Sequence, residues 1–205
     1  MGVNQKVIGV IFAGGEGRRL GGVSKALIEY DGEPLWRLIQ RELSAIADEI
    51  VIVSPRQPDW LEQDGEIIWL ADHLIDGEMI GPAGALSAAL TYAHEHYGED
   101  AVIVTAPVDA PFYKSTLSEA LLVELNAAPH QAVLAETGDR IQPAFGVWRA
   151  GLAPDVNTLI GSGERALHRI ASHIGAARVS FAADDLRFFN INTPEDLERA
   201  RRLGP

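Results

Sequence analysis

The chain has 205 residues, enough for one substantial α/β core, and its 47% hydrophobic and 22% charged content belongs to a folded globular protein rather than a disordered one. Its formal charge of −12 counts against nucleic-acid phosphates or an anionic membrane as the main partner, because both would be repelled over most of the surface. Without cysteine, disulfide frameworks, zinc–thiolate sites, iron–sulfur clusters and cysteine nucleophiles are excluded.

In chain order, Met1 to Lys6 lead into an apolar run of about eight residues, too short for a membrane span and without a signal-peptide pattern, so a cytoplasmic location is expected. Residues 7–12 form a continuous β-rich run that empties into glycines, the pattern of a strand buried on both faces of a parallel sheet. Pro34 can open a helix carrying Leu35, Leu38, Ile39, Leu43 and Ile46 on one face, and residues 50–53 follow as a second buried strand. Residues 67–70 read as a short strand, and Gly81-Pro82 as a turn before a helix bearing Leu86, Ala89, Leu90 and Ala93. Residues 101–104 are the next strand and 117–125 a helix, while 132–135 and 144–148 form a more antiparallel extension. A helical region at 165–174 precedes two last strands, 178–181 and 188–191. Thr193-Pro194-Glu195-Asp196 supplies an N-cap, a proline at the first helical position and acids at the positive end of a final surface helix.

Buried strands alternating with helices specify one α/β domain over residues 1–205: a doubly wound, mostly parallel sheet with helices on both faces and a small antiparallel extension. Such sheets bind ligands beyond the carboxyl ends of their strands. The loops after strands are therefore where chemistry is expected.

The loop after the first strand, Gly14-Gly15-Glu16-Gly17-Arg18-Arg19-Leu20-Gly21-Gly22, lets backbone N–H groups approach phosphate oxygens that a Cβ would fend off. Arg18, Arg19 and Lys25 concentrate positive charge in and just after it. No Gly-Lys-Ser/Thr closes the run as a P-loop, and leucine stands where the dinucleotide fingerprint needs its third glycine. Asp109 follows a buried strand between Pro107 and Pro111, where a hard carboxylate oxygen suits Mg²⁺, although an aspartate there can also cap the next helix. Asp72 stands at a strand exit, a place shared by ligands and ordinary turns. Asn190 and Asn192 alternate on a strand end or serve helix capping, and Arg165 lies in a Gly-Glu-Arg turn. His94 and His96, two apart on a helix, cannot share a metal; Asp184, Asp185, Glu198 and Arg199 read as solvated surface, and the four tryptophans as core or rim. No Gly-x-Ser-x-Gly elbow supports hydrolase chemistry.

Ala13-Gly14-Gly15, Arg18-Arg19-Leu20-Gly21-Gly22 and Lys25 resemble the opening pattern of the molybdenum cofactor guanylyltransferases, within the wider nucleotidyltransferases. The likeness extends over most of the chain, through Gly32, Pro34 and Leu35, Gly81-Pro82, Pro107-Val108-Asp109-Ala110-Pro111, Gly163-Glu164-Arg165 and Phe189-Asn190-Ile191-Asn192-Thr193-Pro194. The resemblance implies a Rossmann-like nucleotidyltransferase fold and Mg²⁺-dependent transfer of GMP from GTP to the terminal phosphate of molybdopterin or molybdenum cofactor, releasing pyrophosphate. It implies catalytic roles for Arg19, Lys25 and Asp109, and a nucleotide site lined by Phe12, Ala13, Gly14, Gly15, Lys25, Val53, Asp72 and Asp109. It also places the metal on Asp109 and the acceptor near Arg165, Asn190 and Asn192, and it allows transient contact with molybdoenzymes or cofactor-delivery proteins.

An acceptor phosphate is already ionised at neutral pH, so the expected reaction needs positioning and charge neutralisation rather than a general base. Two positions depart from the family pattern. Ser24 stands where an acid often precedes the lysine, and Val53 where an asparagine tends to lie near the base; a valine side chain cannot hydrogen-bond guanine. The Ala-Gly-Gly opening is nearer the guanylyl than the cytidylyl branch, which more often has Ala-Ala-Gly. The alternatives are a relative that uses CTP or a sugar or alcohol phosphate, and a non-catalytic carrier of the pterin cofactor.

Overall fold

Every central strand is apolar on both sides, and in the computed structural model, which describes residues 5–14, 22, 24–61, 67–75 and 77–204, each is covered by helices above and below. The chain runs β1 (Val7–Phe12), β2 (Glu29–Tyr30), β3 (Glu33–Pro34), α1 (Leu35–Ser44), β4 (Glu49–Ser54) and β5 (Ile68–Ala71). It continues through β6 (Leu74–Ile75), β7 (Glu78–Met79), α2 (Pro82–Tyr97), β8 (Val102–Pro107), α3 (Ser115–Ala127), β9 (Ala132–Thr137) and β10 (Arg140–Arg149). It ends with α4 (Ala153–Gly161), α5 (Leu167–His173), β11 (Ala177–Phe181) and α6 (Pro194–Leu203).

Seven strands form one sheet in the order β11-β9-β10-β8-β1-β4-β5. β1 lies parallel to β4 and β8, with Phe12 opposite both Val53 and Pro107, so these strands end side by side at one edge. β5 adds parallel to β4 and β11 parallel to β9. β10 is antiparallel to both of its neighbours and lies inside the sheet between β8 and β9.

Alternation along the strands divides the core by face. Ile8, Val10, Val51, Val53, Ile103, Leu134 and Trp148 pack with Leu86 and Leu90 of α2, Val156 and Ile160 of α4 and Ile170 of α5. Ile11, Ile50, Ile52, Val104, Val133 and Val147 pack on the other face with Ile39 and Leu43 of α1 and Leu117, Leu121 and Leu125 of α3. Gly9 lets α1 come this close, because a Cβ there would lie 2.8 Å from Ile50 Cδ1 and 3.0 Å from Leu43 Cβ. A smaller cluster joins Tyr30, Leu35, Leu38, Phe112 and Ile191 to Ala200 of α6.

The expected strand at residues 188–191 is absent: 186–188 form a 3-10 turn and 189–193 carry no sheet pairing. Its apolar residues fill gaps instead, Phe188 edge-on to Phe145 and Phe189 against Phe112. Asp185 is no free surface acid, since it caps that turn and pairs with Arg187 at 2.6 Å. Among the described residues no helix is long and apolar enough to cross a membrane.

Candidate active site

The carboxyl ends of β1, β4, β5 and β8 border a cavity of about 260 Å³ lined by Phe12, Gly14, Lys25, Pro55, Asp72 and Asp109, with Gly81, Pro82 and Ala85 of α2. The strand ladders fix the loops that carry these residues. Ala13 N–H donates to Val53 O at 2.9 Å, Val108 N–H to Phe12 O at 3.1 Å, and Asp72 N–H to Ser54 O at 3.1 Å. Three strand-exit loops are thereby held in line at the site, where doubly wound sheets place ligands.

Lys25 opens the 3-10 turn Lys25–Leu27, which is anchored by buried Ala26. Its ammonium Nζ donates to Asp109 Oδ2 at 2.7 Å and to Asn192 Oδ1 at 2.6 Å. Asp109 is fixed by its neighbours: Val108, Ala110 and Phe112 are buried around it, and its carbonyl accepts from Ile191 N–H at 2.8 Å. Asn192 is fixed from the other side, its N–H donating to Asp196 Oδ2, the same carboxylate that completes the capping box of α6. Residues far apart in sequence thus converge on one ammonium.

Asp72 differs in kind. It is 8% exposed, and its Oδ1 is buried without a hydrogen-bond partner among the described residues. Desolvation pushes its carboxyl up from 3.8 to about 6. Its Oδ2 lies 3.3 Å from where a Cβ on Gly14 would stand, so glycine is what allows the first loop and this acid to meet.

Of the other expected residues, Phe12 and Gly14 line the cavity, and Ala13 is bound into the ladder beside them. Gly15 and Arg19 lie outside the described residues. The Val53 side chain is fully buried in the core against β1, and the hydroxyl of its neighbour Ser54 is taken up, donating to Arg56 O at 2.8 Å and accepting from Trp69 Nε1 at 3.0 Å. Arg165 turns its guanidinium back onto Ile160 O at 2.6 Å and Glu164 O at 3.1 Å, closing the end of α4. Asn190 has a buried Oδ1 without a partner among the described residues. The apolar walls Pro55, Ala85 and Ala144 were not singled out by sequence: Pro55 follows β4, Ala85 lies in the first turn of α2 and Ala144 within β10.

Hard oxygen donors for a divalent ion are present, since the carboxylate residues Asp109 and Asp72 both line one cavity. Among the described residues no cluster of three or more potential ligands exists. Mg²⁺ needs no such cage, because one or two carboxylates complete its shell together with phosphate oxygens and water. The residues therefore fit this ion when it arrives with a phosphate ligand.

Residues 9–179 match the family described as MobA-like NTP transferase domain. The chain is 36% identical over 198 residues to a molybdenum cofactor guanylyltransferase of Cereibacter sphaeroides, covering 97% of each. It is 30% identical to one of Ectopseudomonas mendocina, covering 93% of this chain and 90% of that one. Among solved structures it is similar in fold to molybdopterin-guanine dinucleotide biosynthesis protein A from Archaeoglobus fulgidus, with a TM-score of 0.74 at 24% identity over 96% and 97% of the two chains. A 4-diphosphocytidyl-2C-methyl-D-erythritol synthase from Anaerococcus prevotii gives 0.71 at 15% identity over 97% and 96%.

Proposed function

The chain belongs to the MobA-like NTP transferase family and is a nucleotidyltransferase; from that premise we propose that it transfers GMP from GTP to the terminal phosphate of molybdopterin, releasing pyrophosphate. The observation that carries this reading is the grip of Lys25, which follows the glycine loop in sequence, on Asp109 and Asn192 through its Nζ. One cation there touches both the acid suited to a phosphate-bound ion and the segment expected to meet the acceptor.

In this reading an acceptor phosphate oxygen forms a bond to the α-phosphorus while the bond from that phosphorus to the bridging oxygen breaks, and pyrophosphate leaves with the electron pair. Lys25 and Arg19 neutralise charge on the triphosphate and the departing pyrophosphate, and Lys25, already held by Asp109 and Asn192, acts as a preorganised cation. Asp109 would hold Mg²⁺, which when bound supplies further charge neutralisation on the phosphates. With Lys25 engaged to Asp109 and Asn192, the site is organised before substrate arrives, and no side chain has to abstract a proton.

Base recognition falls to Asp72 and to backbone groups, because the Val53 side chain is sealed in the core and the Ser54 hydroxyl already has both a donor and an acceptor as partners. Guanine and cytosine both carry an amino donor that suits a carboxylate oxygen, so the choice of base rests on the backbone groups and the family likeness. The test is pyrophosphate release with Mg²⁺, molybdopterin and either GTP or CTP. Turnover with GTP is expected; preferential turnover with CTP would overturn the guanylyl assignment, and no pyrophosphate with either would overturn transfer itself.

A further inference from the structure

Next to Asp72, a chain of polar side chains runs inward under the cavity wall. His73 Nδ1 lies 2.8 Å from Ser87 Oγ, and Ser87, fully buried on α2, donates to Asn157 Oδ1 of α4 at 2.5 Å. Asn157 Nδ2 in turn donates to Thr91 Oγ1 at 3.2 Å. A hydroxyl has one proton, and that of Ser87 goes to Asn157, so the imidazole must supply the proton of the first link and Nδ1 is its N–H.

The backbone repeats the attachment. His73 N–H donates to Gly84 O at 3.4 Å, and a Cβ on Gly84 would stand 2.5 Å from His73 O, so α2 sits directly against this loop. The same first turns of α2 supply Gly81, Pro82 and Ala85 to the cavity that Asp72 lines. His73 itself is exposed and lines no part of it.

We propose that the His73–Ser87–Asn157 chain is a positioning device for the nucleotide: it clamps the Asp72 loop onto α2, so that Asp72 and the Gly81-Pro82 wall meet the ligand as one preformed surface. This rests on the nucleotidyl-transfer reading above. The physical need is plain, since a buried carboxylate gains by swinging out to water, and a restraint on its neighbour, added to the Asp72 N–H bond to Ser54 O, keeps it aimed inward before the ligand pairs with it. His73 acts through Asp72 and is a positioning residue, not a catalytic one.

The clamp is tested by measuring dissociation constants of Mg²⁺–GTP, Mg²⁺–CTP and inorganic tripolyphosphate for wild type, His73→Ala, His73→Asn, Asp72→Asn and the Asp72→Asn/His73→Ala pair. His73 is solvent-exposed, so its variants are expected to fold. For the nucleotide that wild type prefers, His73→Ala should weaken binding about fivefold or more, and this loss should vanish on the Asp72→Asn background. Tripolyphosphate binding should stay unchanged, and His73→Asn, whose short amide can donate where Nδ1–H did, should bind as wild type does. Parallel loss of tripolyphosphate binding, or the full loss persisting without the Asp72 carboxylate, overturns the clamp. Wild type binding neither nucleotide overturns both this and the transfer reading, and is told apart because it shows before any substitution.

Discussion

Lys25 holds two neighbours before any nucleotide arrives, Asp109 at 2.7 Å and Asn192 at 2.6 Å, whereas Asp72, which lines the same cavity, keeps a buried Oδ1 without a hydrogen-bond partner among the described residues. The first arrangement stores a cation where phosphates are expected; the second leaves a carboxylate in an unfavourable place. With its folded pKa raised to about 6 from 3.8 by desolvation, Asp72 binds a proton more tightly in the folded than in the unfolded protein. Stability therefore falls as pH rises from about 4 to about 6 and stays lower above that window. Asp72→Asn removes the ionisation, so variant and wild type should melt alike near pH 4 and the variant should melt higher near pH 7.5, while nucleotide binding weakens. Thermal melts at the two pH values check this; equal differences at both would show that the charge is not what destabilises. The sequence named Lys25, Asp72, Asp109 and Asn192 because each stands just after a strand or a glycine loop, or just before a helix cap. It could not show that Lys25, Asp72 and Asp109 line one cavity with Asn192 bonded to its lysine, nor that the Arg165 guanidinium would close the end of α4.

At the scale of elements, α6 carries more than its own stability. Thr193 Oγ1 accepts from Asp196 N–H while the Asp196 carboxylate accepts from the N–H groups of both Thr193 and Asn192. The cap thus fixes the residue that steadies Lys25. Thr193→Ala should cost about 1 kcal/mol, lowering the melting temperature by roughly 2–4 °C in a chain of this size, and Thr193→Ser should restore most of it. A melt of the alanine variant that superimposes on wild type would show that the box contributes nothing. This helix start was legible because Thr-Pro-Glu-Asp is a local signal, complete within four residues. The absent strand at 188–191 shows the opposite case: Phe188, Phe189 and Ile191 have strand propensity, but they serve the aromatic contacts with Phe145 and Phe112 and the buried cluster under α6. Helix α4 left little trace, since Asn157, Thr158 and Gly161 form helices poorly, and packing of Val156 and Ile160 in the core holds it. Asp31 and Gly32 take positive φ, 52° and 81°, and turn the chain between β2 and β3, a short pairing that the sequence reading did not pick out.

For the whole molecule, the alternation of buried strands and helices was enough to specify a doubly wound sheet and to direct attention to its carboxyl edge. The position of β10 inside that sheet was not legible, because strand order depends on pairings between distant segments. The chain as a whole repels anions, with a net charge of −12, so in the proposed reading any affinity for a triphosphate arises from the few groups gathered at that edge and from the divalent ion that Asp109 would hold. Nucleotide binding should therefore depend strongly on Mg²⁺. A ligand at 100 times its dissociation constant stabilises the folded state by about 2.7 kcal/mol, a rise in melting temperature of roughly 5–11 °C at this chain length. We expect that rise with GTP and Mg²⁺ together, a much smaller one with GTP and a chelator, and a smaller one with CTP and Mg²⁺. Equal stabilisation with and without the ion would mean that the cations alone overcome the general repulsion, and Asp109 would then need a role other than holding metal. A larger rise with CTP would move the fault to the base end of the cavity and leave the phosphate end intact, because the Lys25–Asp109–Asn192 arrangement is indifferent to which base the triphosphate carries.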